Sequence, residues 1–481
     1  MSSSGPANLN SKHAWRELAS RDLPKRSAAE RVADFLEIHG LFDEETAREQ
    51  ASRCIQCPNP SCVSGCPLCN PIPQWMQLTA EGRFLEAAAV LGSVTNLAEV
   101  CTRLCPSDRL CEGTCILDSV GEPVAIQAIE RFLSDYAFEH GLVDAATAPP
   151  NGYKVAVVGS GPGGMACADD LARKGCAVTI FDSDLVPGGL LVNGIPAFRL
   201  DRSIVHRRVE LLQKLGVKFQ LGVRLWEEVT LNSLRDEFNA VYLAQDWRTA
   251  RLLDIPGADA PGVVPALTFL LQKNTAVPLD LPPLDVTGRR VLVIGGGNAA
   301  IDCLRTAIRC GAAQAIGLYR RSEAEMPCGR QEYQNAIEEG ASFEFHVVPT
   351  AVRLEAGRVA GLRLIRTEPA VPGSPRLETP RTRPGSEFEV EGDWVIPALG
   401  FNPLPCLRTG GLELLQTNPW GGLRVDSFQA TNLPGVFAGG DLTRGPSTVL
   451  EAVRDARRAA AQMLTWLSRS RTPESPKEKE F

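Results

Sequence analysis

Nine of the fifteen cysteines lie between Cys54 and Cys115, and eight of them form two runs. The first is Cys54-x2-Cys57-x4-Cys62-x3-Cys66-Pro67, and the second is Cys101-x3-Cys105-Pro106-x4-Cys111-x3-Cys115. Thiolates a few residues apart on tight, proline-containing loops can converge on one iron-sulfur cubane, and a closing Cys-Pro often serves the neighbouring cluster. The chemistry this implies is transfer of single electrons. A disulfide framework belongs to small secreted domains, whereas this segment is fused to a long, cysteine-poor remainder with no apolar leader after Met1. Zinc would suit Cys54-x2-Cys57, but zinc ribbons repeat C-x2-C pairs and this chain does not.

Two glycine-rich loops supply a second kind of chemistry. Val155-Ala156-Val157-Val158 leads into Gly159-Ser160-Gly161-Pro162-Gly163-Gly164, then a helical pattern, then a strand over 177–181 ending at Asp182. Gly159, Gly161 and Gly164 permit a tight turn and close approach of a pyrophosphate to a helix N-terminus, and Asp182 can accept from a ribose hydroxyl. The second loop follows Val291-Leu292-Val293-Ile294 and reads Gly295-Gly296-Gly297-Asn298. At the end of its second strand, over 315–319, the acid is replaced by Arg320-Arg321, which suits a 2′-phosphate and predicts NADPH in preference to NADH. Further on, Gly439-Gly440-Asp441 and Pro446-Ser447-Thr448 open a helix from Val449 to about Trp466 and read as a return to the first nucleotide site. One ribose-acid fold and one phosphate-arginine fold in a chain predict a flavin reductase fed by NADPH, with FAD in the first site.

With these motifs in place, the chain from about Leu23 to Trp466 resembles the glutamate synthase small (beta) subunit family, which also includes the N-terminal part of dihydropyrimidine dehydrogenase. The matching strings include RCIQC, CPSDRLCEGTC, EPVAIQAIERF, VAVVGSGPGG, GIPAFRL, VLVIGGGNAAID, YRRSEAEMP and VFAGGDLTRG. The resemblance implies one [4Fe-4S] cluster on Cys54, Cys57, Cys62 and Cys115. A second is implied on Cys66, Cys105 and Cys111, with Glu130 as a non-cysteine ligand. Cys69 and Cys101 are left over as small packing residues. It further implies that Asp182, Gly189, Leu190, Arg199, Gly440, Asp441 and Thr448 line FAD. Asn298, Ala299, Asp302, Arg320, Arg321 and the Ala398-Leu399-Gly400 turn would line NADPH. The implied partner is a glutamate synthase large subunit or another redox acceptor protein in a hetero-oligomer, with a stand-alone NAD(P)H:ferredoxin-type reductase and a dihydropyrimidine dehydrogenase input subunit as alternatives. The chain departs from the family at Ala244-Gln245-Asp246-Trp247, where relatives carry a small residue followed by glycine. That change predicts altered FAD affinity, and it motivates a non-enzymatic alternative, a redox sensor or assembly scaffold.

The elements that must position these residues give an α/β fold with an all-α N-terminal iron-sulfur domain. Two Rossmann-like folds follow, the NADPH domain inserted in the FAD domain. The expected boundaries are 9–144 for the helical cluster domain, with amphipathic segments AAERVADFLEIHG and EGRFLEAAAVLG, 153–284 and 393–468 for the FAD domain, and 285–392 for the NADPH domain. Residues 1–8 and 469–481 read as disordered, and the Pro/Arg-rich stretch from Glu368 to Gly385 as an exposed hairpin or loop. A net charge of -7 argues against nucleic-acid or anionic-membrane surfaces, no apolar run approaches the roughly 20 residues that span a bilayer, and the expected location is the cytoplasm. None of the five histidines sits in a hydrolytic motif, and no C-x-x-C pair accompanies the nucleotide folds.

Overall fold

The run Val155–Val158 contains no polar residue because both faces of its strand are covered, and all four side chains are buried. In the computed structural model, which describes residues 13–245, 249–274, 283–369, 380–402 and 409–469, this run lies in β1 (Lys154–Val158). It is followed by β2 (Ala177–Asp182), β3 (Lys218–Leu221) and β4 (Ala240–Leu243). The chain then passes through a two-residue strand, β5 (Thr249–Ala250), to β6 (Arg290–Ile294), β7 (Gln314–Tyr319) and β8 (Ser342–Phe345). Three long strands come next, β9 (Val347–Glu355), β10 (Arg358–Thr367) and β11 (Thr382–Glu391). The return runs through β12 (Trp394–Pro397) and β13 (Phe401–Asn402) to β14 (Val436–Ala438).

Five parallel strands form one sheet in the order β14-β4-β1-β2-β3, and four form another in the order β12-β6-β7-β8. In each sheet the strand order reverses beside the strand that feeds a glycine loop, which is where open α/β sheets leave a crevice for a ligand. The antiparallel sheet β11-β10-β9 provides the crossover from β8 to β12. Because β14 joins the first sheet only after the second is complete, one nucleotide fold is inserted in the other. Of the stretch from Glu368 to Gly385, residues 368–381 connect β10 to β11 and Thr382 to Gly385 open β11; the two strands pair as a hairpin from Gly361 with Glu391 to Thr367 with Thr382, and residues 370–379 lie outside the described residues. Of the ends expected to be disordered, only Arg469, the last residue of the helix Val449–Arg469, is described.

Ahead of the sheets lies a helical layer, chiefly Glu44–Ser52, Ile72–Ala80, Phe84–Val94, Ala98–Leu104 and Ile126–Glu139. It closes over a core of Trp75, Met76, Leu91, Ile129 and Leu133, with Phe84 and Phe132 edge to face at 5.1 Å. The segment AAERVADFLEIHG is helical only over Ala28–Val32. Asp34 explains the early stop: its carboxylate accepts from Leu36 N–H at 2.9 Å and pairs with Arg26, turning the chain out of the helix. Phe35 then meets Phe198 of the first nucleotide fold, ring centres 6.2 Å apart. Among the described residues no single helix is long and apolar enough to cross a membrane.

Candidate cofactor sites

The two cysteine runs fold into two separate pockets. Cys54, Cys57, Cys62 and Cys115 line one, walled by Ile72, Met76, Ile116 and Ile126. Cys66, Cys105, Cys111 and Glu130 line the other, together with Cys101, Asn70 and Leu450. Every described cysteine is a free thiol. Burial, with neighbouring thiols adding to it, pushes Cys54 up to about 11 and Cys62 up to about 12, and burial raises Cys105 and Cys111 well above the usual range. Such thiols ionise only against a cation. Four thiols in the first pocket, and three thiols with a carboxyl in the second, are donor sets that a [4Fe-4S] cluster can use.

Glu130, half-buried, lines the second pocket, where desolvation of its carboxyl and then Glu112 push its pKa up to about 8. Its Oε1 accepts from Asn70 Nδ2 at 2.7 Å, and Asn70 Oδ1 accepts from the Trp75 indole N–H at 2.9 Å. Both Asn70 and Trp75 are buried, and neither stands out in the sequence, since Asn-Pro-Ile-Pro reads as an ordinary helix entry. Cys101 is buried beside the same pocket and accepts from Thr95 Oγ1 at 3.9 Å. Cys69 is not the packing residue expected of it: it is exposed, in a left-handed turn with φ of 51°, where its N–H reaches back to Cys66 O.

At the crevice of the first sheet lies a cavity of about 550 Å³ lined by Gly159, Gly161, Asp182, Gly189, Leu190, Gly440, Asp441 and Thr448. The loop fits a dinucleotide by what its glycines leave open. A Cβ on Gly161 would meet nothing within 4 Å, so this position faces free space, whereas one on Gly164 would overlap the Gly159 carbonyl oxygen and Gly164 is needed for packing. Asp182 is buried and accepts from Ser160 N–H and Oγ, both at 2.6 Å, and from Asp184 N–H at 2.9 Å, which fixes the carboxylate at the cavity edge. Gln245 and Trp226 also line the cavity. Trp226 has φ of 77°, a conformation costing about 1–2 kcal/mol for a bulky residue, and no motif marks it. Asp246 and Trp247 lie outside the described residues.

Arg199 does not line that cavity. It crosses to the second fold and binds Asp302 at 3.0 Å and Glu332 at 3.5 Å. Asp302 is thereby engaged with Arg199, so both residues tie the two nucleotide folds together. Phe198 beside it packs under Arg305 and Arg309, at 4.4 and 4.0 Å from its ring centre.

In the second fold, Gly295, Gly297, Asn298 and Ala299 form the loop and first turn of the helix Asn298–Arg309. A Cβ on Gly297 would meet nothing within 4 Å. Arg320 and Arg321 leave the end of β7, Arg321 buried and paired with Glu325 at 3.0 Å, and Arg320 half-buried. Ala398 follows β12 beside Gly295, and Gly400 has φ of 86°. The loop, the helix N-terminus and the paired arginines fit a phosphorylated dinucleotide.

Two nucleotide crevices behind a cysteine-rich helical layer define a pyridine-nucleotide flavin reductase fused to an iron-sulfur module. Residues 31–142 match the family described as dihydropyrimidine dehydrogenase domain II, 4Fe-4S cluster, and residues 153–456 match pyridine nucleotide-disulphide oxidoreductase. The chain is 39% identical over 464 residues to the glutamate synthase [NADPH] small chain of Escherichia coli, covering 94% of this chain and 98% of that one. It is 41% identical to the corresponding small chain of Azospirillum brasilense, covering 92% and 93%. The fold of Mycobacterium tuberculosis FprA in complex with NADPH superposes with a TM-score of 0.56 at 21% identity, over 67% of this chain and 86% of that one. The chain belongs to the glutamate synthase small-chain family of NADPH-dependent oxidoreductases.

Proposed function

We propose that this chain is the electron-input subunit of a glutamate synthase, drawing electrons from NADPH and passing them through FAD and two [4Fe-4S] clusters to a large subunit that makes L-glutamate from glutamine and 2-oxoglutarate. What supports a wired pathway is a shared wall. Thr448, Val449 and Ala452 line the first nucleotide cavity, while Leu450, on the same helical turn, lines the pocket of Cys66, Cys105, Cys111 and Glu130. Ile72 in turn lines both cysteine pockets. With FAD in the first cavity, Cys66, Cys105, Cys111 and Glu130 would hold the nearer cluster and Cys54, Cys57, Cys62 and Cys115 the farther one. Ile116, which walls the last pocket, is 46% exposed, so a cluster held by Cys54, Cys57, Cys62 and Cys115 would lie close to the surface a partner could meet.

The chemistry supplied by bound FAD is acceptance of two electrons from NADPH and their release one at a time to iron-sulfur clusters. The chain's own residues bind and orient. Gly161 and Gly297 admit the pyrophosphates, Asp182 holds a ribose, and Arg320 and Arg321 recognise the 2′-phosphate. Leu450 and Ile72 keep water out between carriers. No side chain is needed as nucleophile or general acid.

The test is anaerobic purification with iron, sulfide and flavin counted, NADPH titration followed by absorbance and EPR, and then mixing with a glutamate synthase large chain. About eight irons per chain, flavin bleaching by NADPH, and NADPH-dependent glutamate formation in the mixture are expected. Flavin bleaching without any gain of activity by the large chain would remove the glutamate synthase assignment and leave a reductase for another acceptor.

A further inference from the structure

Arg109 sits between Cys105 and Cys111, in a loop that is braced within the helical layer. Ser107 Oγ lies 2.6 Å from Glu112 Oε2 and 2.8 Å from Gln127 Oε1, and Gln127 Nε2 donates to Cys105 O at 2.8 Å. From this loop the Arg109 guanidinium reaches the second nucleotide fold, more than 200 residues away in sequence. Its Nη2 donates to Met326 O and Cys328 O, both at 2.6 Å, and its Nη1 to Pro327 O at 2.9 Å. Next to it, Asp108 Oδ2 accepts from Arg330 N–H at 3.1 Å. Three consecutive carbonyls turned onto one cation fix the turn over 326–330, a task the planar guanidinium suits better than an ammonium.

The other side of that turn touches the second glycine loop. Cys328 N–H donates to Gly296 O, and Gly329 N–H donates to Asn298 Oδ1, each at 3.1 Å. The 326–330 turn thus bonds on one side to the loop that carries Cys105 and Cys111, and on the other to the loop that would hold NADPH. We infer that Arg109 is a positioning residue for the nicotinamide nucleotide, clamping the 326–330 turn against the second glycine loop and coupling nucleotide occupancy to the adjacent cluster. This rests on the reading that the second glycine loop binds NADPH.

The experiment titrates NADP⁺ into anaerobically purified holoenzyme, reading affinity from perturbation of the flavin absorbance and coupling from the EPR of the reduced clusters with and without NADP⁺. Arg109→Ala should keep its flavin, weaken NADP⁺ about tenfold, raise KM for NADPH with little change in kcat, and lose the response of the cluster signal to NADP⁺. Arg109→Lys should fall between. Because Arg109 neighbours cluster ligands, the Ala variant can lose iron, and Arg330→Pro then decides. It deletes the N–H given to Asp108 together with the Arg330 side chain, at the first position of the helix Arg330–Glu338, where proline is accommodated, so it is read against Arg330→Ala, which loses the side chain and keeps the N–H. Weaker NADP⁺ binding in Arg330→Pro than in Arg330→Ala supports the clamp. Unchanged affinity in the variants that retain iron overturns the clamp alone, while a wild-type protein that fails to bind NADP⁺ overturns the reading beneath it.

Discussion

Single atoms decide the behaviour of the two glycine loops. A Cβ at Gly164 would overlap the Gly159 carbonyl oxygen, so Gly164→Ala should abolish flavin retention, seen as no flavin released when the purified protein is denatured. At Gly297 a Cβ meets only open space, so Gly297→Ala should leave folding and flavin content intact and raise KM for NADPH, checked by steady-state kinetics. Arg320→Ala should lower the preference for NADPH over NADH by about 10–100-fold in kcat/KM, the worth of losing a charge-assisted bond to phosphate. In the second cysteine pocket, Asn70→Ala removes the amide bonded to Glu130. Altered EPR of one cluster with the other unchanged is expected, and Trp75→Phe should reproduce part of that change because it frees the Asn70 amide.

Between elements, the helical layer is fastened to the first nucleotide fold by buried charge. Arg208, on the helix Arg202–Lys214, binds Glu99 at 2.7 Å and Asp169 at 3.2 Å, and all three are buried. Arg208→Ala leaves Glu99 uncompensated, while Asp169 keeps Arg173 at 2.8 Å, and should cost about 3–5 kcal/mol, read as a fall in the thermal midpoint, while Arg208→Lys should recover part of it. Such pairings also mark the limit of what the sequence discloses. The cysteine runs and glycine loops were legible because their geometry is local: a few residues of spacing determine what they can bind. Arg199 looked like a flavin contact, yet its partner Asp302 lies 103 residues away, and only the assembled interface pairs them. Asn70, Trp75 and Trp226 were missed for the same reason, since each acquires its role from a neighbour brought in by folding. The short helix Ala28–Val32 shows the converse, a good amphipathic pattern cut off by one local hydrogen bond at Asp34.

Across the whole molecule, acid-sensitive groups sit where the helical layer meets the second nucleotide fold. His39 is held neutral by burial, then by Arg131, with its pKa lowered to about 4 from 6.5. Unfolding lets it take up a proton, so its contribution is complete above about 6.5 and is lost as pH falls toward 4, at up to ~1.4 kcal/mol per pH unit. Glu338 is held down to about 2 by its hydrogen bond from Lys25 and by Arg31, and its contribution is lost at lower pH, from about 4.5 downward. Thermal midpoints should therefore decline in two stages below neutrality, and His39→Gln should flatten the upper one. The junction between the nucleotide folds has a different consequence. β5 and β13 pair as antiparallel neighbours, Ala250 opposite Phe401 and Thr249 opposite Asn402, so the chain enters and leaves the second fold at one stem. A segment that begins and ends at the same place is an exchangeable cassette. Coenzyme preference can then be transplanted from a relative by replacing residues 251–400 in a single graft, provided the incoming piece keeps a carboxylate for Arg199 and a 326–328 turn that Arg109 can grip.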